Sequence, residues 1–181
     1  MNNDIATALR DFTQRYCQQW QQQHGHLPAS ADLYGIASPC EVESRDGVVL
    51  WRPQPFSAEP DLAAVERALE LRLQPAAARY YTTQYAGDMQ AMFEGQPITL
   101  LQVWSEADFA RVQENLIGHL VMKRRLKQTP TLFIATTESD LDVVSLCNLS
   151  GEVVLEKLGT PQRKVLAPDI QTFLNSLQPV S

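Results

Sequence analysis

The first apolar positions of the chain lie on one helical stripe. Ile5, Leu9, Phe12, Tyr16 and Trp20 follow one another at spacings of four, three, four and four, the period of an α-helix with one buried face. The stripe predicts a helix over residues 4–23. His24-Gly25-His26-Leu27-Pro28 stops it, with glycine at the C-terminal turn and proline just beyond. Residues 33–39 read as a loop. Residues 40–44 and 48–52 read as strands joined by Asp46-Gly47, a pair suited to the positive φ angles of a tight hairpin. Pro53, Pro55 and Pro60 break the pattern. A short amphipathic helix then starts at Asp61, with Leu62, Val65 and Leu69 on its apolar side and the acid at its electropositive end.

Residues 79–85 are aromatic and Thr-rich, which predicts an extended segment or a short turn of helix. A second hairpin is predicted from residues 89–93 and 98–104, turning at Glu94-Gly95-Gln96-Pro97. Ser105 and Asp108 form a variant capping box. They open a long helix that carries Phe109, Val112, Leu116, Leu120 and Leu126. Strands follow at residues 131–136, 142–147 and 153–158, with Gly151 and Gly159 marking turns. Pro168 opens a last helix with Ile170, Phe173, Leu174 and Leu177. Helices alternate with hairpin-joined strands, so the chain is expected to form one α+β domain over residues 1–181. Its sheet should be mainly antiparallel, with helices packed against it.

Composition changes this picture little. The chain has 181 residues, 44% of them hydrophobic, and a domain of that size buries roughly 70% of the surface its unfolded form exposes. A core without disulfides or metals is therefore expected. Cys17, Cys40 and Cys147 are odd in number and form no C-x-x-C pair, so free thiols in a reducing compartment are the expectation. Asp4, Arg10, Asp11 and Arg15 interrupt any signal-peptide pattern. No stretch approaches the ~20 apolar residues that span a bilayer. A role at a membrane would then run through its surface or another protein.

Charge changes the picture more. The formal net charge is −6, against the basic footprint of a nucleic-acid binder. Four of the 15 basic residues, Lys123, Arg124, Arg125 and Lys127, sit together at the predicted end of the long helix. Cations there offset the negative helix pole or meet anionic headgroups. Two long stretches hold acids and no Lys or Arg. Residues 80–110 contain Asp88, Glu94, Glu106 and Asp108; residues 128–156 contain Glu138, Asp140, Asp142, Glu152 and Glu156. Either these are scattered solvated charges, or they border one groove and focus a negative field that suits a basic partner.

Signals for other chemistry are weak. Glu138, Asp140 and Asp142 alternate, but no calcium-loop glycine follows. His24 and His26 have no third ligand placed by the sequence. No cofactor or metal is expected. The chain carries no G-x-S-x-G elbow, P-loop or G-x-G-x-x-G, so catalysis has no motif behind it. A small hydrolase would require a Ser or Cys hydrogen-bonded to a base such as His119.

Six stretches together carry a resemblance: LYGIASPC (33–40), WRPQPF (51–56), YYTTQYAGDM (80–89), LLQVWSEADFARVQENLIGHL (100–120), PTLFIAT (130–136) and CNLSGEV (147–153). In order and in overall length the chain resembles the SecY-interacting Syd family of proteobacteria. The resemblance implies a SUKH-like α/β binding fold. It further implies a cytoplasmic protein loosely held at the inner membrane through SecY, the channel subunit of the export translocon, and acting as a check on it. No contact residues carry over from the family. Combined with the charge pattern, it makes Asp88, Glu94, Glu106, Asp108, Glu138 and Asp140 the candidate surface for basic cytoplasmic loops of SecY. A SUKH-type immunity module for another basic protein is the alternative.

Overall fold

The computed structural model describes residues 2–180, with side chains from Asp4 onward. The apolar stripe at the start forms α1 (Asn2–His24). Phe12 and Tyr16 are buried, while Trp20 is half-buried and packs against His24 with ring centroids 4.6 Å apart and planes tilted by 40°. After the short β1 (Ala29–Ser30), the first hairpin pairs β2 (Glu41–Arg45) with β3 (Val48–Trp51). Asp46 and Gly47 both take positive φ, 52° and 78°, as the tight turn requires. Next come β4 (Gln54–Pro55), α2 (Ala63–Leu69) and α3 (Pro75–Tyr81), followed by β5 (Gln84–Tyr85). The aromatic segment thus begins in the last turn of a helix and ends extended in β5. Pro75 supplies the preset φ of a helix start, and Tyr80 and Tyr81 are buried in the core.

The second hairpin joins β6 (Met89–Phe93) to β7 (Gln96–Leu100) through a two-residue turn, Glu94-Gly95, with φ of 48° and 81°. The expected four-residue turn is shorter because Gln96 and Pro97 enter the strand. Pairing of β7 with the next strand begins only at Ile98, so the N–H that Pro97 lacks is not needed there. Ser105 caps α4 (Glu106–Arg125), accepting from the Asp108 N–H at 3.1 Å. The chain closes with β8 (Thr131–Thr137), β9 (Asp142–Cys147), β10 (Val153–Lys157), β11 (Arg163–Ala167), α5 (Ile170–Asn175) and β12 (Gln178–Pro179).

Seven strands form one curled sheet in the order β11-β10-β9-β8-β7-β6-β12. β1-β3-β2 and β4-β5 are small separate sheets. Every pairing is antiparallel, as the hairpin signals implied. α1 packs on α3, α5 and β12, and α4 packs on β8 and α2. One continuous core runs from Ile5 to Leu177. Among the described residues no helix is long and apolar enough to cross a membrane.

Candidate partner-binding site

The site is built around two buried tryptophans. Trp51 and Trp104 meet edge to face, centroids 6.5 Å apart. Gly87 lies against the first. A Cβ at residue 87 would stand 2.8 Å from two indole atoms of Trp51, so only glycine permits the approach. That approach sets the position of Asp88, at the start of β6. Trp104 fixes two further pieces. Its indole N–H donates to the Ile36 carbonyl at 2.8 Å and its own carbonyl accepts from Ser38 Oγ at 2.6 Å, which anchors the 31–39 loop. Its backbone N–H donates to Asp108 Oδ2 at 2.9 Å, completing the cap of α4.

Three carboxylates converge as a result. Asp88 is exposed, yet its carboxyl is pushed up to about 6, first by burial and then by the negative charges of Asp108 and Asp32. The Gln102 N–H, donating to Oδ1 at 2.8 Å, opposes that rise. A group both solvent-accessible and poorly solvated stands against a low-dielectric wall, where field lines are focused. Arg111, 3.5 Å from Asp108, is the only base in ion-pair contact with any of the three among the described residues. Tyr34 and Ile36 are large exposed side chains in the same loop as Asp32, 49% and 42% accessible.

The other candidate acids lie elsewhere. Glu94 is at the far tip of β6, six residues from Asp88, or about 20 Å at strand rise. There it lines a cavity of about 370 Å³ with Glu138, Asp142 and Lys164. Asp140 is exposed in the neighbouring β8–β9 loop. Glu106, in the first turn of α4, borders a different depression with Glu59, Asp61 and Arg67. The six therefore divide into Asp88 with Asp108, Glu94 with Glu138 and Asp140, and Glu106 apart.

A sequence profile described as Syd protein (SUKH-2) matches residues 6–179. The chain belongs to the Syd family. Relatives called Protein Syd are similar to it over nearly their whole length. The one from Erwinia tasmaniensis is 61% identical, covering 99% of this chain and 97% of its own. That from Klebsiella pneumoniae is 59% identical, covering 99% of each. That from Pectobacterium carotovorum is 56% identical over the whole of both.

In this Syd family chain, His119 faces inward. Its Nε2 is 2.8 Å from Thr131 Oγ1 and 3.7 Å from Glu156 Oε2; among the described residues neither a serine nor a cysteine partners it. Burial first, then the Lys123 charge, keep its imidazole below its ordinary value against the pull of Glu156. The cluster is a buried ion-pair network. Cys17, Cys40 and Cys147 are free thiols. Among the described residues no three His, Cys, Asp or Glu side chains gather as a metal-binding group. Asp32 is not among the sequence candidates. A usable signal exists, because residues 16–44 contain Asp32, Glu41 and Glu43 but no Lys or Arg.

Proposed function

We propose that this protein binds SecY at the cytoplasmic face of the inner membrane, and that the corner formed by Asp88, Asp108 and Asp32 receives a basic SecY loop. The supporting observation is the raised Asp88 carboxyl, pushed up first by burial and then by the negative charges of Asp108 and Asp32. An incoming cation would offset both effects on Asp88 by favouring its ionised form. The corner also offers exposed Tyr34 and Ile36, the aromatic and aliphatic anchors that interfaces use alongside charge. Glu94, Glu138 and Asp140 act only through the long-range field. At about 20 Å they lie beyond the ~10 Å Debye length of 0.1 M salt. Binding, with no turnover, is the proposed activity, and membrane association is peripheral and through SecY.

The test is binding to SecY in detergent or nanodiscs. Exposed ion pairs contribute only ~0–1 kcal/mol each. The combined Asp32→Lys and Asp88→Asn substitution is expected to weaken binding roughly tenfold, mostly through the on-rate. The effect should fade as salt rises. The asparagine of that variant keeps an acceptor for the Gln102 N–H, so the fold survives. Glu94→Lys with Glu138→Lys should change affinity little above 0.1 M salt, roughly twofold at most. Undiminished SecY binding by the Asp32/Asp88 variant at low salt would refute the proposal.

A second expectation concerns pH. In the free protein Asp88 is half-protonated near pH 6, and a cationic partner favours its ionised form. Affinity should therefore rise from about pH 5 to about pH 7, and binding near pH 6 should release protons. Calorimetry in buffers of different ionisation enthalpy measures that release. It should vanish in Asp88→Asn.

A further inference from the structure

We propose that the cavity between the end of α4 and the β10–β11 hairpin binds a phosphate-type oxyanion, held by Lys127 and Arg163 beside Lys123. The cavity is about 200 Å³ and is lined by these three cations and one carboxylate, Glu156. That excess of positive charge stands out on a chain of net charge −6.

The basic cluster at the end of α4 does not act as a unit. Lys123 is buried and bonded to Glu156. Arg124 turns away and donates to the Leu69 carbonyl at 2.7 Å. Lys127 lies past the helix end with φ of 55°, a left-handed position usually given to Gly or Asn. That turn closes the helix, with the Gln128 N–H donating to the Lys123 carbonyl at 2.9 Å, and it sets Lys127 at the mouth of the cavity. No carboxylate among the described residues lies within ion-pair distance of its ammonium.

Arg163 has no carboxylate partner among the described residues, for a specific reason. It stands directly across β10–β11 from Glu156, the geometry of a cross-strand ion pair. Glu156 instead turns inward, bonded to Lys123 and to Thr131 Oγ1. Arg163 is left with a 3.5 Å contact to Cys147 Sγ. Two cations without carboxylate partners among the described residues thus face one small polar cavity, with Gln128 and Thr160 in its wall. Its volume is below the ~300–1,000 Å³ of sites for drug-sized ligands, but it suits a single tetrahedral anion bound by charge-assisted hydrogen bonds. An adjoining apolar cavity of about 320 Å³, lined by Leu71, Leu120 and Pro130, shares Lys127 and Gln128 with it. The phosphate is therefore either free or carried on an anionic lipid.

The test compares the parent with the Lys127→Gln/Arg163→Gln variant, which leaves the Lys123–Glu156 pair intact. Inorganic phosphate is titrated at constant ionic strength while backbone amide resonances are followed. In parallel, co-sedimentation is measured with vesicles of phosphatidylglycerol in phosphatidylcholine, and of phosphatidylcholine alone. Saturable shifts at Lys127, Gln128 and Thr160 are expected, with binding about tenfold or more weaker in the variant. If phosphate is silent but phosphatidylglycerol vesicles retain the parent and release the variant, the phosphate is lipid-borne and the site stands. If neither ligand binds the parent, or both proteins bind equally, the proposal is overturned.

Discussion

Replacing Lys123 by methionine is expected to lower stability by about 3–5 kcal/mol in urea denaturation, the cost of leaving a buried charge without its partner. Lys123 and Glu156 are 4% and 2% exposed, and Thr131 Oγ1 donates to the second carboxylate oxygen at 2.6 Å. Burial alone would raise the Glu156 carboxyl. Hydrogen bonds from Lys123 and Thr131, with the Lys123 charge, outweigh burial and hold it below the ordinary value. The parent's stabilisation from this carboxylate is therefore present above the unfolded pKa near 4.5, and it is lost as pH falls through the lower folded value. The depressed His119 imidazole adds a loss of the same direction, setting in as pH drops below its unfolded value near 6.5. Lys123→Met reverses the Glu156 contribution. Burial now raises the orphaned carboxyl, so the deficit is greatest at neutral pH and shrinks on acidification as the group protonates. In Glu156→Gln the orphan is the ammonium, and the deficit shrinks toward alkaline pH instead. The double change Lys123→Met/Glu156→Leu, which leaves no charge, should cost less than either single change. Equal, pH-independent losses in all three variants would mean that packing, not charge pairing, sets the cost.

What the sequence disclosed follows from where its physics is local. The apolar stripe of α1, the Asp46-Gly47 turn and the Ser105–Asp108 cap depend on neighbours within a few residues, and each is found close to its expected bounds. Pro97 misleads because strand prolines are judged without knowing which neighbour is absent. β11 is invisible because three of its five positions are exposed at a sheet edge, which erases the alternation that marks a half-buried strand. The site is legible only in part. Base-free stretches locate Asp88 and Asp108, but Asp88 and Glu94 lie in the same stretch and at opposite ends of one strand. Sequence proximity cannot say which end of a strand faces which loop. Asp32 joins the corner only because Trp104 anchors its loop from 68 residues away. Lys123 reads as a helix-end cation because its partner lies 33 residues ahead in the chain.

Phe12→Ala is expected to destabilise the protein by about 3–5 kcal/mol, as large aromatic truncations in closed cores do. Phe12 is wholly buried in α1, beside Tyr16 at a ring-centroid distance of 6.4 Å. The Arg15 guanidinium lies over its ring at 5.5 Å. The helix does more than cover the sheet. Tyr16 donates to Gln90 Oε1 of β6 at 2.8 Å, and the Arg15 guanidinium donates to the Leu177 carbonyl just before β12. These bonds tie the first helix to β6 and to the segment leading into the last strand, so a cavity at Phe12 loosens both ends of the chain together. α1 also lies against the edge that β12 closes, leaving little room for neighbours to collapse inward. The transition should therefore stay cooperative, with tryptophan fluorescence near Trp51 and far-ultraviolet circular dichroism falling at one shared midpoint. Separate midpoints, or a loss under about 1 kcal/mol, would show α1 to be an accessory laid on a core that folds without it.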